Sequence, residues 1–362
     1  MRGETLWDPA AHERLVEDGW DEHRALAAIR EIATDAEAAF ADGWPAHPAD
    51  ADADDPGPWG GLHIGGAGVV DGLRRLAERG FAEPQGRYLA YLESLRPDAD
   101  GPSLMVGETG IVLVRHRLSP SPATTGRLRE LVAANVDDDH RELIWGSPGT
   151  MLVARELGFD DLWQASAERL LAARDPETGL WEQDLHGHRA CQLGAAHGFA
   201  GCVLALGAVD GAAGTARRYA AVEDGLANWP PYADGLLVRN EMVRVQWCHG
   251  APGMITALGD DLDEDLALAG GELTWRAGPP VKGASLCHGT AGNGYAFLTL
   301  FERSGDELWL DRARRFAVHS IGQVGRARAE HGMGRYSLWT GDLGTALYLA
   351  DCIDGAGTLP LP

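Results

Sequence analysis

A chain of 362 residues with 45% apolar side chains can bury a large core, which excludes a disordered tail or linker. Its 54 acidic against 31 basic residues leave a formal charge of -23, which repels phosphate backbones and anionic lipid and so excludes nucleic acid and membrane surfaces as partners. No stretch stays apolar for the ~18 residues of a membrane span, the amino terminus has no apolar signal core, and five scattered cysteines make no disulfide framework, so a soluble cytoplasmic protein is expected.

In chain order, residues 1–44 read as a lead-in followed by an outer helix beginning near Asp21. The Pro- and Asp-rich residues 45–60 read as a solvated loop within one domain spanning 1–362, not as a linker. From there a Gly-x-x-Gly step recurs seven times, at Gly65/Gly68, Gly107/Gly110, Gly146/Gly149, Gly198/Gly201, Gly250/Gly253, Gly289/Gly292 and Gly341/Gly344. The intervals are 42, 39, 52, 52, 39 and 52 residues.

Each step follows a short apolar lead-in and opens a small-residue apolar stretch, such as Thr150 to Ala154 or Thr345 to Leu349, which reads as a buried helix. Amphipathic segments with apolar residues three and four apart lie between, for example Leu162 to Ala173 and Leu308 to Ile321, and read as outer helices. Seven inner and seven outer helices paired by repeat predict an all-α fold, an α/α toroid with its inner helix amino termini converging at one end. Those converging dipoles are expected to favour bound anions or developing negative charge there.

Two adjacent steps carry cysteine, Trp247-Cys248-His249-Gly250 and Leu286-Cys287-His288-Gly289, at one repeat phase. In a toroid both thiols reach the same barrel mouth. With His288 they make a Cys2His set for Zn2+, with His249 as the competing imidazole; such a set leaves one tetrahedral position open, the pattern of a catalytic site. Two thiolates neutralise the ion, so an incoming thiol would be deprotonated yet stay electron-rich. Cys191, Cys202 and Cys352 have no comparable partners and are expected to be buried as small apolar residues.

The sequences WCHGAPG, LCHGTAGNGYAFL, GAAHGFAG, KGASLCHG and SLWTGDLGTALYLAD, set in seven steps over nearly the whole chain, resemble the lanthionine synthetase C-like family, close to its stand-alone and animal-type members. The resemblance implies a zinc enzyme that adds a thiol to dehydroalanine or dehydrobutyrine. The thiol comes from a peptide cysteine in the cyclases and from glutathione in animal members. It also implies a dehydrated peptide or protein as partner and a separate dehydratase or kinase to prepare it.

By the same resemblance, His197 in GAAHGFAG is the acid/base, Arg244 stabilises the enolate or orients the peptide, and Glu142 orients Arg244 or His197. His249 stands where some bacterial cyclases have tyrosine, as in animal members. Lys282, the sole lysine of the chain, takes the place of a lysine in the animal members' glutathione site. Two other readings remain: a non-catalytic module that binds zinc and glutathione or docks a partner, and a glycan-processing toroid. The second lacks the Asp/Glu pair that glycosidases need at the mouth.

Overall fold

The computed structural model describes residues 6–51, 54–83, 85–185, 187–233 and 244–362. Residues 1–5 of the expected lead-in and 52–53 of the expected loop lie outside these. Among the described residues, fourteen α-helices alternate between two layers. The outer ring is α1 (Glu22–Ala38), α3 (Leu89–Ser94), α5 (Pro122–Ala134), α7 (Asp160–Ala172), α9 (Ala212–Tyr219), α11 (Glu264–Ala277) and α13 (Glu307–His331). The inner ring is α2 (Gly66–Glu78), α4 (Glu108–Leu118), α6 (Ser147–Leu157), α8 (Phe199–Leu206), α10 (Ala251–Leu258), α12 (Thr290–Ser304) and α14 (Asp342–Asp354). The inner ring closes because α14 packs against α12 on one side and α2 on the other, which makes the fold an α/α toroid.

Local sequence accounts for the helix starts. Asp21 caps α1 by accepting from the His23 and Arg24 amides, and Ser121 forms a capping box with Thr124 on α5. No inner helix is capped by the side chain of its own N-cap residue. In several, the first amides bond instead to lead-in carbonyls seven residues back, Gly66, Ala67 and Gly68 to Trp59, Gly60 and Gly61, and Thr290, Ala291 and Gly292 to Gly283, Ala284 and Ser285, while in α10 the Ala251 amide donates to Asn228 Oδ1 (2.8 Å). These donors are therefore already used, and the expectation that the converging helix starts bind anions loses its main source of free N–H groups.

The same tight return explains the glycines. A Cβ on Gly292 would collide with the Leu286 carbonyl, and the second glycine of every other step likewise faces the carbonyl six residues before it, as Gly68 faces Leu62 and Gly149 faces Leu143. Backbone packs on backbone here, so no side chain fits. We expect Gly292→Ala to cost about 1–3 kcal/mol or more, the range for overpacking, read as a lowered melting temperature. An unchanged melting temperature would refute this close approach.

The unequal repeat lengths have physical destinations. Two of the 52-residue intervals hold short antiparallel hairpins, β1 (Gln183–Leu185) with β2 (His188–Ala190) and β3 (Ala221–Glu223) with β4 (Leu226–Asn228). The third is taken up by α13, 25 residues long, which runs well beyond the expected outer helix. Periodicity alone did not indicate the hairpins, because three-residue strands carry almost no pattern.

The amino-terminal lead-in is laid across the α11–α12 turn. The Glu13 amide donates to Pro279 (2.7 Å), Val281 donates back to Ala11 (3.0 Å), and His12 Nδ1 donates to the Gly278 carbonyl (2.8 Å). Residues 45–60 also differ from the expected solvated loop. His47 is buried, and the Asp50 carboxylate accepts from Arg335 Nε (2.9 Å) and Thr340 Oγ1 (2.9 Å), strapping this segment to the turn before α14. A buried carboxylate with a guanidinium partner holds a position that a composition rich in Pro and Asp does not reveal.

Candidate active site

The seven lead-in turns meet at one end of the barrel in a backbone belt. Cys248 N donates to Cys287 O (3.0 Å), Cys287 N to Trp339 O (2.9 Å), Trp339 N to His63 O (3.2 Å), and His63 N to Met105 O (3.0 Å); farther round, Leu143 N donates to Ala196 O (3.0 Å). One residue before each belt position, Leu62, Leu104, Leu143, Trp247, Leu286 and Leu338 are buried, several of them packed against the second glycine of the neighbouring step. Position in the repeat thus sets depth in the mouth.

Cys248 and Cys287 lie together, both buried and with side chains near enough to act on each other, and Cys248 Sγ donates to Gln246 Oε1 (3.5 Å). The adjoining Cys287 side chain lowers the Cys248 pKa with help from the charges of His197, Arg244 and Lys282; Cys248 and burial push Cys287 well up. Of the pair, Cys248 is the thiol that loses its proton first. His288 follows directly in the chain. Burial, together with the charges of Arg335 and Lys282, takes its pKa down to about 4, so the imidazole is neutral at pH 7.

His197 projects from the turn before α8. Its Nδ1 donates to Glu142 Oε2 at 2.8 Å, and Glu142, wholly buried, also accepts from the amides of Ile144 (3.1 Å) and Trp145. The carboxylate is fixed by backbone and in turn fixes the ring. Burial alone would lower the His197 pKa, but the hydrogen bond and charge of Glu142 outweigh it and the pKa is raised. No hydrogen bond joins Glu142 to Arg244 among the described residues.

The His249 ring lies stacked on His197, centroids 5.7 Å apart, with Nδ1 buried and unpartnered. Burial and the neighbouring positive charges of His197, Arg244 and Lys282 hold His249 well below its usual pKa. Arg244 stands half-buried beside these groups, and its charge is felt at Cys248, His197 and His249. Lys282 is exposed at the rim, its charge reaching both cysteines, His249 and His288.

The donor chemistry suits zinc: two paired thiols, one drawn toward thiolate, a neutral His288 next in the chain, and a second neutral imidazole in His249 whose Nδ1 has no partner. Among the described residues, however, no three His, Cys, Asp or Glu side chains are gathered closely enough to form a ligand set. Of the remaining cysteines, Cys202 and Cys352 are buried as expected while Cys191 is partly exposed, and none of the five is in a disulfide.

Comparison with known proteins places this geometry. Residues 123–359 match the family model described as lanthionine synthetase C-like protein, a span that contains Glu142, His197, Arg244, both cysteine motifs and Lys282. The chain belongs to the lanthionine synthetase C-like family. Over 120 residues it is 39% identical to "Glutathione S-transferase LANCL1" of Danio rerio, covering 31% of this chain and 29% of that protein. Over 83 residues it is 39% identical to "LanC-like protein GCL1" of Arabidopsis thaliana, covering 21% and 19%. The matched stretches thus span under a third of these relatives' lengths. Among solved structures, a nisin cyclase superposes with a TM-score of 0.57 at 16% identity over 93% of this chain and 100% of that one, a likeness of fold.

Sequence reasoning missed two features of this lanthionine synthetase C-like mouth. One is the Asp50–Arg335 pair, whose arginine acts on Cys287 and His288. The other is His63, two residues before the first glycine of its step, as Cys248 and Cys287 are of theirs. Aligning the seven steps on that glycine places all three in one column, a signal present in the sequence. No helix among the described residues is long and apolar enough to cross a membrane.

Proposed function

We propose that this chain, taken as one toroid domain over 1–362, catalyses zinc-dependent addition of a thiol to dehydroalanine or dehydrobutyrine. The observation that carries the reading is the paired Cys248 and Cys287 thiols at the same barrel mouth as the Glu142–His197 pair. Cys248, Cys287 and His288 would hold the metal, which when bound lowers the pKa of an incoming thiol while keeping its sulfur nucleophilic.

The chain's own groups account for the rest. The thiol loses its proton, its sulfur bonds to the β-carbon, and the alkene electrons move onto the carbonyl as an enolate. Arg244 keeps its charge at any relevant pH and stabilises that oxygen. His197, its protonated form favoured by Glu142, delivers a proton to the α-carbon, so the thiol proton is balanced at the product. His249, neutral and stacked on His197, holds the ring's free face.

The names of two similar proteins, a glutathione S-transferase and a nisin cyclase, frame the choice of donor between glutathione and a cysteine of the same peptide. The dehydrated residue comes from a partner dehydratase or kinase, and five cysteines with no disulfide among them suit a reducing cytoplasm. The test is incubation of zinc-loaded protein with dehydroalanine peptides, with and without an internal cysteine or added glutathione, followed by mass and thiol analysis. Thioether product supports the reading. Zinc and glutathione binding without turnover would leave the non-catalytic module as the better account.

Lys282 bears on the donor. Glutathione has two carboxylates, and the exposed ammonium at the rim can reach one while its sulfur lies at the cysteines; a peptide cysteine already tethered to its acceptor has less need of such a cation. Lys282→Ala is expected to weaken glutathione binding by about 1–3 kcal/mol, the range for a charged hydrogen bond, with zinc content unchanged. Calorimetric titration decides it. Equal binding by both proteins, or none by wild type at millimolar ligand, would move the assignment to peptide cyclisation.

A further inference from the structure

Aligned on the first glycine of each step, the residues two places earlier are His63, Met105, Ile144, Ala196, Cys248, Cys287 and Trp339. Only His63 and the two cysteines among them carry an ionisable side chain. The belt ties His63 to the cysteines through three consecutive backbone bonds, Cys248 to Cys287, Cys287 to Trp339 and Trp339 to His63 (3.0, 2.9 and 3.2 Å), so all three residues sit at one level of the mouth.

His63 belongs to the first repeat and His197 to the fourth, as far apart as a seven-membered ring allows. Yet the His63 imidazole, held well below its usual pKa first by burial, also feels the charges of His288 and His197, so it lies near the same mouth groups. Its Nε2 is fully buried with no hydrogen-bond partner. A buried polar atom of this kind carries a desolvation cost that an incoming polar group would relieve. The family-model match begins at residue 123 and so does not include it.

We propose that His63 is a substrate-binding residue, its Nε2 hydrogen-bonding a backbone amide group of the acceptor peptide beside the dehydrated residue, on the side of the mouth facing His197. This rests on the thiol-addition reading and adds to it the group that orients the acceptor. The acceptor then lies between two imidazoles with different roles. His63 holds its backbone, and His197 faces the carbon that takes the proton. Orientation of this sort acts on acceptor binding and leaves donor binding alone.

The test compares His63→Phe, which keeps a flat ring of similar size but no hydrogen bond, with His63→Gln, which keeps an amide able to donate and accept. Zinc content, melting temperature and separate KM values for a dehydroalanine peptide and for glutathione are measured. We expect His63→Phe to raise the peptide KM about tenfold or more, with glutathione KM, zinc and melting temperature near wild type, and His63→Gln to stay within about threefold. An unchanged peptide KM in His63→Phe, with wild type active, overturns this proposal alone. Equal losses in both variants with loss of zinc or stability make His63 structural and also overturn it. A wild type inert toward every dehydrated peptide overturns the thiol-addition reading and this proposal together.

Discussion

Cys287→Ala is expected to abolish the stoichiometric zinc binding, one ion per chain, that the proposal expects of wild type. In that proposal Cys287 would supply a ligand, and it also lowers the pKa of Cys248, so its loss removes one thiolate and makes the other harder to form. Metal ligands must be deprotonated to bind, and even indirect supports of a ligand are worth about 10–100-fold in affinity, so a direct ligand should cost about 100-fold or more. Elemental analysis after gel filtration measures it, with the melting temperature as a control for folding. Full zinc occupancy in the variant would remove Cys287 from the ligand set and, with it, the basis for placing the thiol donor at this pair.

The second large effect is expected from His197→Asn. The side chain keeps a polar group near Glu142 but cannot carry a proton to carbon. A positioned acid/base is worth about 100–10,000-fold, so turnover on a dehydroalanine peptide should fall by at least about 100-fold while zinc content and fold persist. Because Glu142 is held by two backbone amides whether or not His197 is present, the variant should retain the local structure. A rate equal to wild type would make the Glu142–His197 pair a packing feature of the mouth and leave the protonation step without a donor.

The two outcomes separate cleanly. Loss of metal with Cys287→Ala and retention of metal with His197→Asn divides the mouth into ligands and proton-handling groups, whereas loss of metal in both would mean that the mouth collapses as a unit.

Much of this molecule is legible in its sequence because the information is local or periodic. Seven Gly-x-x-Gly steps encode seven tight turns whose backbone leaves no room for Cβ, and that repetition predicts the toroid and the convergence of the turns at one mouth. Asp21 announces the start of α1, and the shared phase of Cys248 and Cys287 predicts that the thiols meet. Other features depend on how one repeat is set against another. Glu142 had two possible partners in the sequence; the structure joins it to His197, 55 positions away, because the lead-in turns of α6 and α8 are laced together by the Leu143–Ala196 backbone bond. The strap from Asp50 to Arg335 spans 285 positions and closes the first repeat on the last. His63 was readable by alignment of the steps, but its nearness to the charges of His288 and His197 was not, since the distance between opposite turns is fixed only when the ring closes. Periodicity determines which residues share a level; side-chain direction and ring diameter, set by tertiary packing, decide which of them meet.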